Sequence, residues 1–425
     1  MSAAACKEGT QIHMTLLVQK YGGSSLKNPD RILAVADRVR EAAHDHPVVV
    51  VVSAMGDTTD HLIDLARQIA DHPNRRETDM LLSTGEQVSA SLLALALHQR
   101  GCPAVSLSGW QAGIRTDNSF TTARIRSIDG DRIRHELASG RVVIVTGFQG
   151  AGDESGWSEV TTLGRGGSDA TAVALAAGLR AERCDIYTDV PGIFTADPRV
   201  VPEARKLSGI TYEEMLELAQ YGAQVMMPRS VEMAQIWNVP LQVRSSYNDE
   251  SGTHIGGSME YANRIAGVAH QNQVAKVTFV GLADRPGVAH AIFSGLSRRH
   301  IPADLIVQNI GHHGRTDLSF TVPQQDLGAA LEVAEDVRDL VDAQQVTAKG
   351  GMAKISVVGT GLSSTLDYAS TMFGTLGDLA INIDMISTSG IRITCVIDDD
   401  RVEEAVRALH TAFKLEGDGA WPASA

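Results

Sequence analysis

The stretch TTLGRGGSDATAVALAAGL, from Thr161 to Leu179, places three glycines and one arginine before a Ser-Asp pair and an almost purely apolar segment. The glycines permit positive φ angles and a close approach of the backbone to a ligand, and Ser168 or Asp169 is expected to cap the helix that follows. Free N–H groups at that helix start attract an anion, and the planar guanidinium of Arg165 suits a carboxylate or a phosphate. The pattern predicts either an anion site or an ordinary capped turn.

The chain around this stretch alternates apolar runs with amphipathic or alanine-rich segments up to about residue 260. Such alternation predicts an α/β fold with a mainly parallel sheet between helices, and ligands bind these sheets at the carboxyl ends of the strands. The predicted strands are Thr15–Lys20, Val48–Ser53, Ala104–Ser106, Val142–Thr146 and Asp185–Asp189. The predicted helices are Pro29–His44, Thr59–Ile69, Met80–Arg100, Asp131–Ser139 and Asp169–Leu179.

The composition of the 425-residue chain indicates a globular protein of about two to four domains. The net charge of −14 argues against a nucleic-acid partner or an anionic membrane, since both require basic surfaces. The apolar run Val48–Val52 is too short to span a bilayer. The four cysteines are widely spaced, as expected for reduced thiols in a cytoplasmic protein. Residues 1–14 and 417–425 are expected to be loose tails.

The last third of the chain contains an internal repeat. The matching pairs are AKVTFVG (Ala275–Gly281) with AKISVVG (Ala353–Gly359), IPADLI (Ile301–Ile306) with INIDMI (Ile381–Ile386), and LSFTV (Leu318–Val322) with IRITCV (Ile391–Val396). Each copy has the order strand, helix, strand, strand, helix, which predicts two ferredoxin-like βαββαβ modules in tandem. The polar segment Ser245–Met259 is the predicted domain boundary.

Four further turns contain candidate ligands for phosphate and an acidic substrate. They are KYGGSS (Lys20–Ser25), SAMGDTTD (Ser53–Asp60), STGEQVSA (Ser83–Ala90) with Glu86, and IYTDVPGIFTADPR (Ile186–Arg199). The sequence lacks the GxxxxGK[ST] motif of P-loop proteins and the HRD and DFG motifs of protein kinases. It also lacks HExxH, and GHHG (Gly311–Gly314) is interpreted as a hairpin tip, so no metal ligand from the protein is predicted.

Together these segments resemble the aspartokinases, within the amino acid kinase superfamily. Lys20-Tyr-Gly-Gly resembles the KFGG motif of that family, and LGRGGSDATA, YTDVPGIFTADPR and VRSSY (Val243–Tyr247) match longer family segments in order and spacing. The tandem repeats resemble its paired ACT regulatory modules. The resemblance runs from Val18 to Leu415 and is strongest to single-function bacterial enzymes sensitive to lysine and threonine. It implies an amino acid kinase domain over 15–262, ACT 1 over 273–346 and ACT 2 over 347–416, with residues 400–416 as an alternative completion of ACT 1.

The resemblance implies ATP-dependent phosphorylation of the β-carboxylate of L-aspartate, with Mg²⁺ held mostly by ATP oxygens and water. In that family pattern Lys20 stabilises the transferring phosphoryl group, Arg165 binds the α-carboxylate of aspartate, Glu86 binds its ammonium and Asp169 orients the lysine. The implied hydroxyl contacts to substrate are Ser53, Thr59 and Ser168. The implied ATP contacts are Lys20, Tyr21, Gly22, Gly23, Ser24, Thr188, Asp189, Phe194, Thr195, Ala196, Asp197, Pro198, Arg199 and Gln224.

The same resemblance implies that amino-acid effectors, lysine and threonine, bind the ACT modules. The implied effector contacts are Asp284, Gln308, Asn309, Asn382 and Ile383. Several positions depart from the family pattern. Gln224 replaces a lysine, IPAD replaces an INID-like segment and so introduces Pro302, and Gly390 stands where a glutamate is usual. The usual Pro-Gly is also absent from SSTLDYAS. Because most of these departures lie in the regulatory half, we expect altered or weakened feedback.

Two other functions remain open from the sequence. One is a catalytically silent amino-acid sensor, which the glutamine at position 224 supports, and the other is a kinase of another acidic amino acid such as glutamate. Paired ACT modules predict a homodimer or a higher oligomer. Met259 is a candidate internal start for a separate regulatory subunit.

Overall fold

The computed structural model describes residues 15–153, 156–222, 225–257, 265–309, 314–360, 362 and 366–417. These residues form two compact units. The first contains residues 15–193, Ser208–Leu216 and 225–257, and the second contains Phe194–Leu207, 217–222 and the residues from 265 onward. The predicted kinase range of 15–262 is therefore interrupted, because two of its segments pack with the C-terminal unit.

The first unit contains twelve strands and seven α-helices among the described residues. Its strands are β1 (Leu17–Tyr21), β2 (Val48–Val52), β3 (Ala104–Leu107), β4 (Ile114–Thr116), β5 (Ile125–Ile128), β6 (Val142–Thr146), β7 (Gln149–Gly152), β8 (Glu159–Thr162), β9 (Arg183–Thr188), β10 (Gly209–Thr211), β11 (Leu241–Ser245) and β12 (Thr253–Gly256). Its helices are α1 (Pro29–Asp45), α2 (Thr58–Ile69), α3 (Arg75–Gln99), α4 (Asp131–Ala138), α5 (Gly167–Leu179), α6 (Tyr212–Gln220, which continues into the second unit) and α7 (Pro228–Trp237).

Eight of these strands form one sheet in the order β10-β12-β11-β9-β1-β2-β6-β3. Every neighbouring pair in it is parallel except β11 with β12. The all-valine strand β2 is buried on both faces, as a central strand of a covered sheet requires. Val48, Val50 and Val52 pack with α1 and α3, and α5 covers the opposite face. The predicted parallel sheet between helices is confirmed.

A second, four-stranded sheet in the order β5-β4-β7-β8 was not predicted. Its strands are three or four residues long and mostly polar, so they carry little periodic signal. Strand β12 lies inside the predicted boundary segment Ser245–Met259, so the first unit extends through most of that segment.

Helix α3 is the one described helix whose length and composition would allow it to cross a membrane. Half of its apolar window is buried inside the fold. Ala90, Leu93 and Leu97 on this helix lie in the same core as α1 and β2. The packing of α3 against β2 and β6 accounts for its apolar character.

The second unit is built on one six-stranded sheet in which every neighbouring pair is antiparallel. Its strands are β13 (Ile265–Ala283), β14 (Asp304–Asn309), β15 (Arg315–Pro323), β16 (Gln345–Gly359), β17 (Met385–Thr388) and β18 (Arg392–Asp398). Its helices are α8 (Val288–Arg298), α9 (Leu327–Arg338), α10 (Leu366–Asp378) and α11 (Val402–Ala412). The strand order is β14-β15-β13-β16-β18-β17.

Strands β13 and β16 lie at the centre of this sheet, and each runs through both predicted modules. The core of the first module contains the second half of β13 with α8, β15 and α9. The core of the second contains Ile265 and Val268 from the first half of β13, the second half of β16, α10, β18 and α11. The alternative in which residues 400–416 complete the first module is wrong, because Val406 and Leu409 of α11 are buried in the second core. The segment that crosses from one repeat to the core of the other is the start of β13, which precedes the first module in sequence but packs in the second core.

Candidate active site

A cavity of about 760 Å³ opens in the first unit at the carboxyl ends of the central strands. The parallel strands β1 and β2 end on the same edge of the sheet, so the turns that follow them meet there with the start of α5. The predicted site residues that line the cavity are Lys20, Gly22, Gly23, Ser53, Thr59, Glu86, Arg165, Ser168 and Asp169. The structure thus brings together residues that are up to 149 positions apart, from Lys20 to Asp169.

Lys20 and Asp169 form a short ion pair at the wall of this cavity. Lys20 Nζ lies 2.6 Å from Asp169 Oδ1, and the two side chains are only 12% and 8% exposed. Asp169 lies in the first turn of α5, where the helix dipole favours a negative charge. The attraction between opposite charges this close together, at a site with little exposure to water, holds the lysine ammonium in place.

The glycine-rich turn before α5 adopts the backbone that its glycines were expected to allow. Gly164 and Gly166 have φ angles of +76° and +70°, in the left-handed region. A Cβ on Gly166 would collide with the side chain of Met227. The helix begins at Gly167, and Gly166 occupies the N-cap position without a side-chain cap. The expectation that Ser168 or Asp169 caps the helix is therefore wrong, because both lie inside its first turn.

Arg165 lies between these two left-handed glycines and is exposed at the cavity wall. Among the residues that the structure describes, its guanidinium has no ion-pair or hydrogen-bond partner. A planar fork of N–H donors in this state is available to a carboxylate or phosphate entering the cavity.

Glu86 is a buried carboxylate on α3, and it is 2% exposed. Its Oε1 accepts a hydrogen bond from the Ala54 N–H at 3.1 Å, whereas its Oε2 has no partner among the described residues. Burial raises the pKa of Glu86 to about 7, and the Ala54 N–H only partly opposes this effect. An unpaired carboxylate oxygen at a cavity wall suits a positively charged group on a ligand.

Sequence reasoning missed several residues of the cavity. They are Arg67, Arg75, Thr121, Thr122, Phe148 and Thr162. Thr121 and Thr162 are held by Asp79, a buried carboxylate on α3 that accepts both of their backbone N–H groups. The threonine pair in SFTTAR (residues 119–124) is a usable sequence signal. No sequence signal identifies Phe148 as a cavity residue, because its position at the cavity depends on the pairing of β7 with β8.

The predicted ATP residues of the first unit fall into two groups. Gly22 and Gly23 line the cavity with Lys20. Tyr21 does not line the cavity, because its ring is fully buried and stacked on Tyr187 with 4.6 Å between the ring centroids. The expectation that the Tyr21 side chain contacts ATP is therefore wrong. The Ser24 carbonyl accepts a hydrogen bond from the Tyr247 hydroxyl. Thr188, at the end of β9, donates to Asp189.

The predicted ATP residues Phe194 to Arg199 belong to the second unit. Thr195 is 1% exposed, bonds to His410 and accepts the Arg205 N–H, so its side chain is not free for a nucleotide. Ala196 is likewise buried in the core of the second module. Asp197 and Arg199 form an exposed ion pair beside Pro198. Gln224 and residues 311–313 of the GHHG segment lie outside the described residues.

The predicted effector residues lie in the second unit. Asp284 follows β13 and its N–H donates to the Gly314 carbonyl. Gln308 and Asn309 lie exposed on β14, at one edge of the six-stranded sheet. Asn382 and Ile383 precede β17, at the other edge, and Ile383 packs against the second core.

Comparison with known proteins assigns both units to families. The description "Amino acid kinase family" fits residues 15–245, and "ACT domain" fits residues 277–337 and 355–413. The chain is 48% identical over 407 residues to an aspartokinase of Bacillus sp. (strain MGA3), covering 95% of this chain and 98% of that protein. It is 49% identical over 410 residues to an aspartokinase of Geobacillus stearothermophilus, covering 96% and 99%.

Solved structures give the same result. E. coli aspartokinase III in complex with aspartate and ADP matches with a TM-score of 0.79 and 26% identity, covering 93% of this chain and 99% of that chain. The same enzyme in complex with lysine and aspartate matches with a TM-score of 0.74, covering 94% and 99%.

The fold and the cavity define a kinase of the amino acid kinase family with ACT modules at its C-terminal end. Within that class, the chain belongs to the aspartokinases, the enzymes that phosphorylate aspartate with ATP under the control of ACT domains.

Proposed function

We propose that the cavity of the first unit binds L-aspartate beside the triphosphate of ATP and that its residues transfer the γ-phosphoryl group to the β-carboxylate, giving 4-phospho-L-aspartate. The observation that carries this proposal is the Lys20–Asp169 ion pair, which fixes one ammonium in a cavity that Arg165 and Glu86 also line. The complex of E. coli aspartokinase III with aspartate and ADP supports the same ligands for this chain.

The reaction needs no general base. The β-carboxylate of aspartate has a pKa of about 3.9 and is already ionised at neutral pH. One of its oxygens attacks the γ-phosphorus, and the bond between the γ-phosphorus and the ADP oxygen breaks. Catalysis therefore consists of positioning two anions and neutralising their charge. We assign that neutralisation to Lys20, whose Nζ donates to an oxygen of the transferring group while Asp169 holds it in place.

Recognition of aspartate is assigned to two opposite charges. Arg165 offers a planar fork to the α-carboxylate, and Glu86 offers the unpaired Oε2 to the ammonium. A ligand with a carboxylate and an ammonium on one carbon satisfies both groups together. The hydroxyls of Ser53, Thr59 and Ser168, which line the same cavity, are proposed as its further contacts.

The nucleotide is proposed to bind Lys20, Gly22 and Gly23 with its phosphates and the Thr188–Asp189 turn with its nucleoside. The remaining proposed contacts are Ser24, Phe194, Asp197, Pro198, Arg199 and Gln224, with backbone contacts from Tyr21, Thr195 and Ala196. Mg²⁺ fits as an ion carried by ATP, because the cavity carboxylate nearest Lys20 is already paired and the described residues contain no group of three metal-binding side chains. Held by ATP oxygens and water, the ion would neutralise part of the phosphate charge.

Amino-acid effectors are proposed to bind the ACT modules at Asp284, Gln308, Asn309, Asn382 and Ile383. Lysine and threonine are the proposed effectors, and the lysine complex of E. coli aspartokinase III supports the first. The departures from the family pattern at Pro302 and Gly390 support the proposal that feedback inhibition by these effectors is altered or weakened. We further propose a homodimer or a higher oligomer formed through the ACT modules, with Met259 as a candidate start of a regulatory subunit, and a cytoplasmic location.

Production of aspartyl hydroxamate tests the function. The protein is mixed with ATP, Mg²⁺, hydroxylamine and either aspartate or glutamate. Hydroxamate from aspartate alone supports the proposal, and hydroxamate from glutamate alone identifies a kinase of that amino acid instead. No hydroxamate from either, with lysine or threonine still bound in a calorimetric titration, identifies a silent sensor. Lys20→Ala is expected to lower the rate of aspartyl hydroxamate formation by about 10²- to 10³-fold.

A further inference from the structure

Ser245, Ser246 and Tyr247, at the end of β11, connect two turns that line or flank the active site of the first unit. Strand β11 pairs in parallel with β9, and β9 pairs in parallel with β1. The end of β11 therefore lies on the same sheet edge as the turns after β9 and β1. The Ser246 N–H donates to the Thr188 carbonyl at 2.8 Å, which fixes the turn after β9. We call Ser245–Tyr247 the β11 brace.

The same brace holds the turn that follows Lys20. Ser25 Oγ donates to Ser246 Oγ at 2.8 Å, and the hydroxyls belong to residues that are 0% and 5% exposed. One residue later in the brace and one residue earlier in the lysine turn, the Tyr247 hydroxyl donates to the Ser24 carbonyl at 3.1 Å. These bonds join residues more than 220 positions apart, so no local preference of the chain explains them.

Arg31 of α1 contacts two residues of the brace, Ser246 and Tyr247. Its Nη2 donates to the Ser246 carbonyl at 2.7 Å and to Ser246 Oγ at 3.2 Å. Its guanidinium also lies over the ring of Tyr247, 3.8 Å from the centroid, in a cation–π contact. One side chain therefore fixes both residues of the brace that bond to the lysine turn.

The opposite side of the lysine turn is packed against backbone. The Gly56 N–H donates to the Gly23 carbonyl at 3.1 Å. A Cβ on Gly23 would lie only 2.8 Å from the Gly56 carbonyl oxygen, so the lysine turn is already packed tightly against the Gly56 backbone. The Gly22 N–H donates to the Tyr187 carbonyl, which links the turn to β9 again. The turn is therefore held between the Gly56 backbone and the β11 brace.

We infer that Arg31 and Ser246 are positioning residues for phosphoryl transfer: through the β11 brace they fix the turn after Lys20 relative to the Thr188 turn, and so set where the phosphates of a nucleotide meet Lys20. The inference rests on the proposed function, in which both turns hold ATP. It predicts a defect in nucleotide binding and transfer that leaves recognition of aspartate intact, because the side-chain bonds of the brace reach the lysine turn and α1 but not Arg165 or Glu86, which are assigned to aspartate.

The test compares Arg31→Ala, Ser25→Ala, Ser246→Ala and the double variant Ser25→Ala/Ser246→Ala in the full chain. Affinity for Mg²⁺–ADP is measured by calorimetry, and KM for ATP, KM for aspartate and kcat by a coupled assay. For Arg31→Ala we expect ADP affinity to fall and KM for ATP to rise about tenfold, with kcat reduced, since small displacements of positioned groups have large effects on transfer. KM for aspartate is expected to change less than about twofold.

The cycle of serine variants separates positioning from general loss of structure. If the hydroxyls act as a pair, the double variant is expected to be no worse in ADP affinity than either single variant. Arg31→Lys, which keeps the charge but not the planar fork, is expected to recover part of the affinity. Arg40→Ala, on the exposed side of the same helix, is the control and is expected to match wild type.

Equal rises in KM for both substrates, or lower thermal stability with unchanged ADP affinity, would overturn the inference. Wild-type protein that binds ADP but makes no aspartyl hydroxamate would overturn the proposed function alone, because the ADP titrations of the variants still report on the brace. Wild-type protein that binds no ADP would overturn both.

Discussion

Lys354 and Asp304 form an ion pair across the two ACT modules, with Nζ 2.7 Å from Oδ2. The pairing is reciprocal, because Lys276 at the matching position of the first repeat pairs with Asp384 of the second, also at 2.7 Å. Each lysine thus binds the aspartate of the other repeat. Since β13 and β16 lie side by side at the centre of the sheet, the exchange adds charge pairing to the backbone bonds that join the modules.

Asp304→Asn is expected to destabilise the second unit, because it leaves the ammonium of Lys354, 4% exposed, without its counter-charge. Burial already lowers the pKa of Lys354, against the opposing effect of Asp304. The loss is expected to be about 2 kcal/mol, below the usual value for a fully buried pair because Asp304 is partly exposed. Hydrogen exchange of the β16 amides measures it. Glu403→Gln, in the exposed pair with Arg407, is the control, and an equal loss in both variants would contradict the prediction.

Asp169→Asn is expected to lower kcat by about 10- to 100-fold, because the Lys20 ammonium loses the partner that fixes it. Lys20→Ala is expected to lower kcat further, by about 10²- to 10³-fold, since it removes the charge itself. The double variant should be no slower than Lys20→Ala, because Asp169 acts through the lysine. Steady-state release of ADP measures all three. A double variant whose loss is the product of both single losses would show that the two residues act independently.

Glu86 is expected to make aspartate binding depend on pH. Its pKa of about 7 means that it loses its charge as the pH falls below neutrality, and with it the attraction for the substrate ammonium. Between pH 6 and pH 8 the ionised fraction rises about tenfold, so KM for aspartate is expected to fall about tenfold over this range. Glu86→Gln is expected to raise KM and remove the inflection near pH 7. An unchanged pH profile in this variant would show that another group is responsible.

The carboxyl group of Glu86 affects the stability of the fold in the opposite direction from aspartate binding: higher pH favours binding but lowers stability. Because its pKa in the fold lies above the ordinary value of 4.5, the protonated form stabilises the ligand-free protein at low pH. This contribution is lost as the pH rises through about 7, since the unfolded chain ionises freely while the buried carboxylate does not. The chain thus maintains at neutral pH a carboxylate that its own fold disfavours, as expected where a cationic ligand is bound.

The sequence predicted the central sheet and the cavity because their signals are local. The run Val48–Val52 can only be a buried strand, and Lys20 and Arg165 each belong to a glycine-rich turn whose place at a strand or helix end follows from the pattern. The same local reasoning failed for the N-cap of α5. It expected a polar cap, whereas the close approach of Met227 and a left-handed backbone require glycine at position 166.

What the sequence could not predict depends on pairing between distant segments. Thr195 lies in a turn typical of a ligand loop, but its hydroxyl bonds to His410, 215 positions away. The first half of β13 is too polar around His270–Gln273 to be recognised as a strand, and its place in the second module follows only from its register with β16. No sequence motif marks Asp79 as a site residue. Its role is to accept hydrogen bonds from the backbone N–H groups of Thr121 and Thr162, which are distant in sequence.

Gly166→Ala is expected to impair aspartate binding more than Gly164→Ala does, although both glycines have positive φ angles. An alanine at either position costs about 1 kcal/mol for the left-handed backbone. At position 164 the new Cβ would lie 3.1 Å from the Thr121 carbonyl oxygen, which a small shift relieves, whereas at position 166 it would overlap the Met227 side chain. The turn that holds Arg165 must then move.

The measured consequence is a rise in KM for aspartate of at least about tenfold for Gly166→Ala and only a few-fold for Gly164→Ala, since displacing a binding group by about 1 Å weakens its contacts severely. Affinity for Mg²⁺–ADP is expected to stay within about twofold in both variants, because the lysine turn is held by the β11 brace and the Gly56 backbone, which neither substitution touches. Equal effects at the two positions would show that the left-handed backbone alone, and not the contact with Met227, fixes Arg165 at the cavity wall.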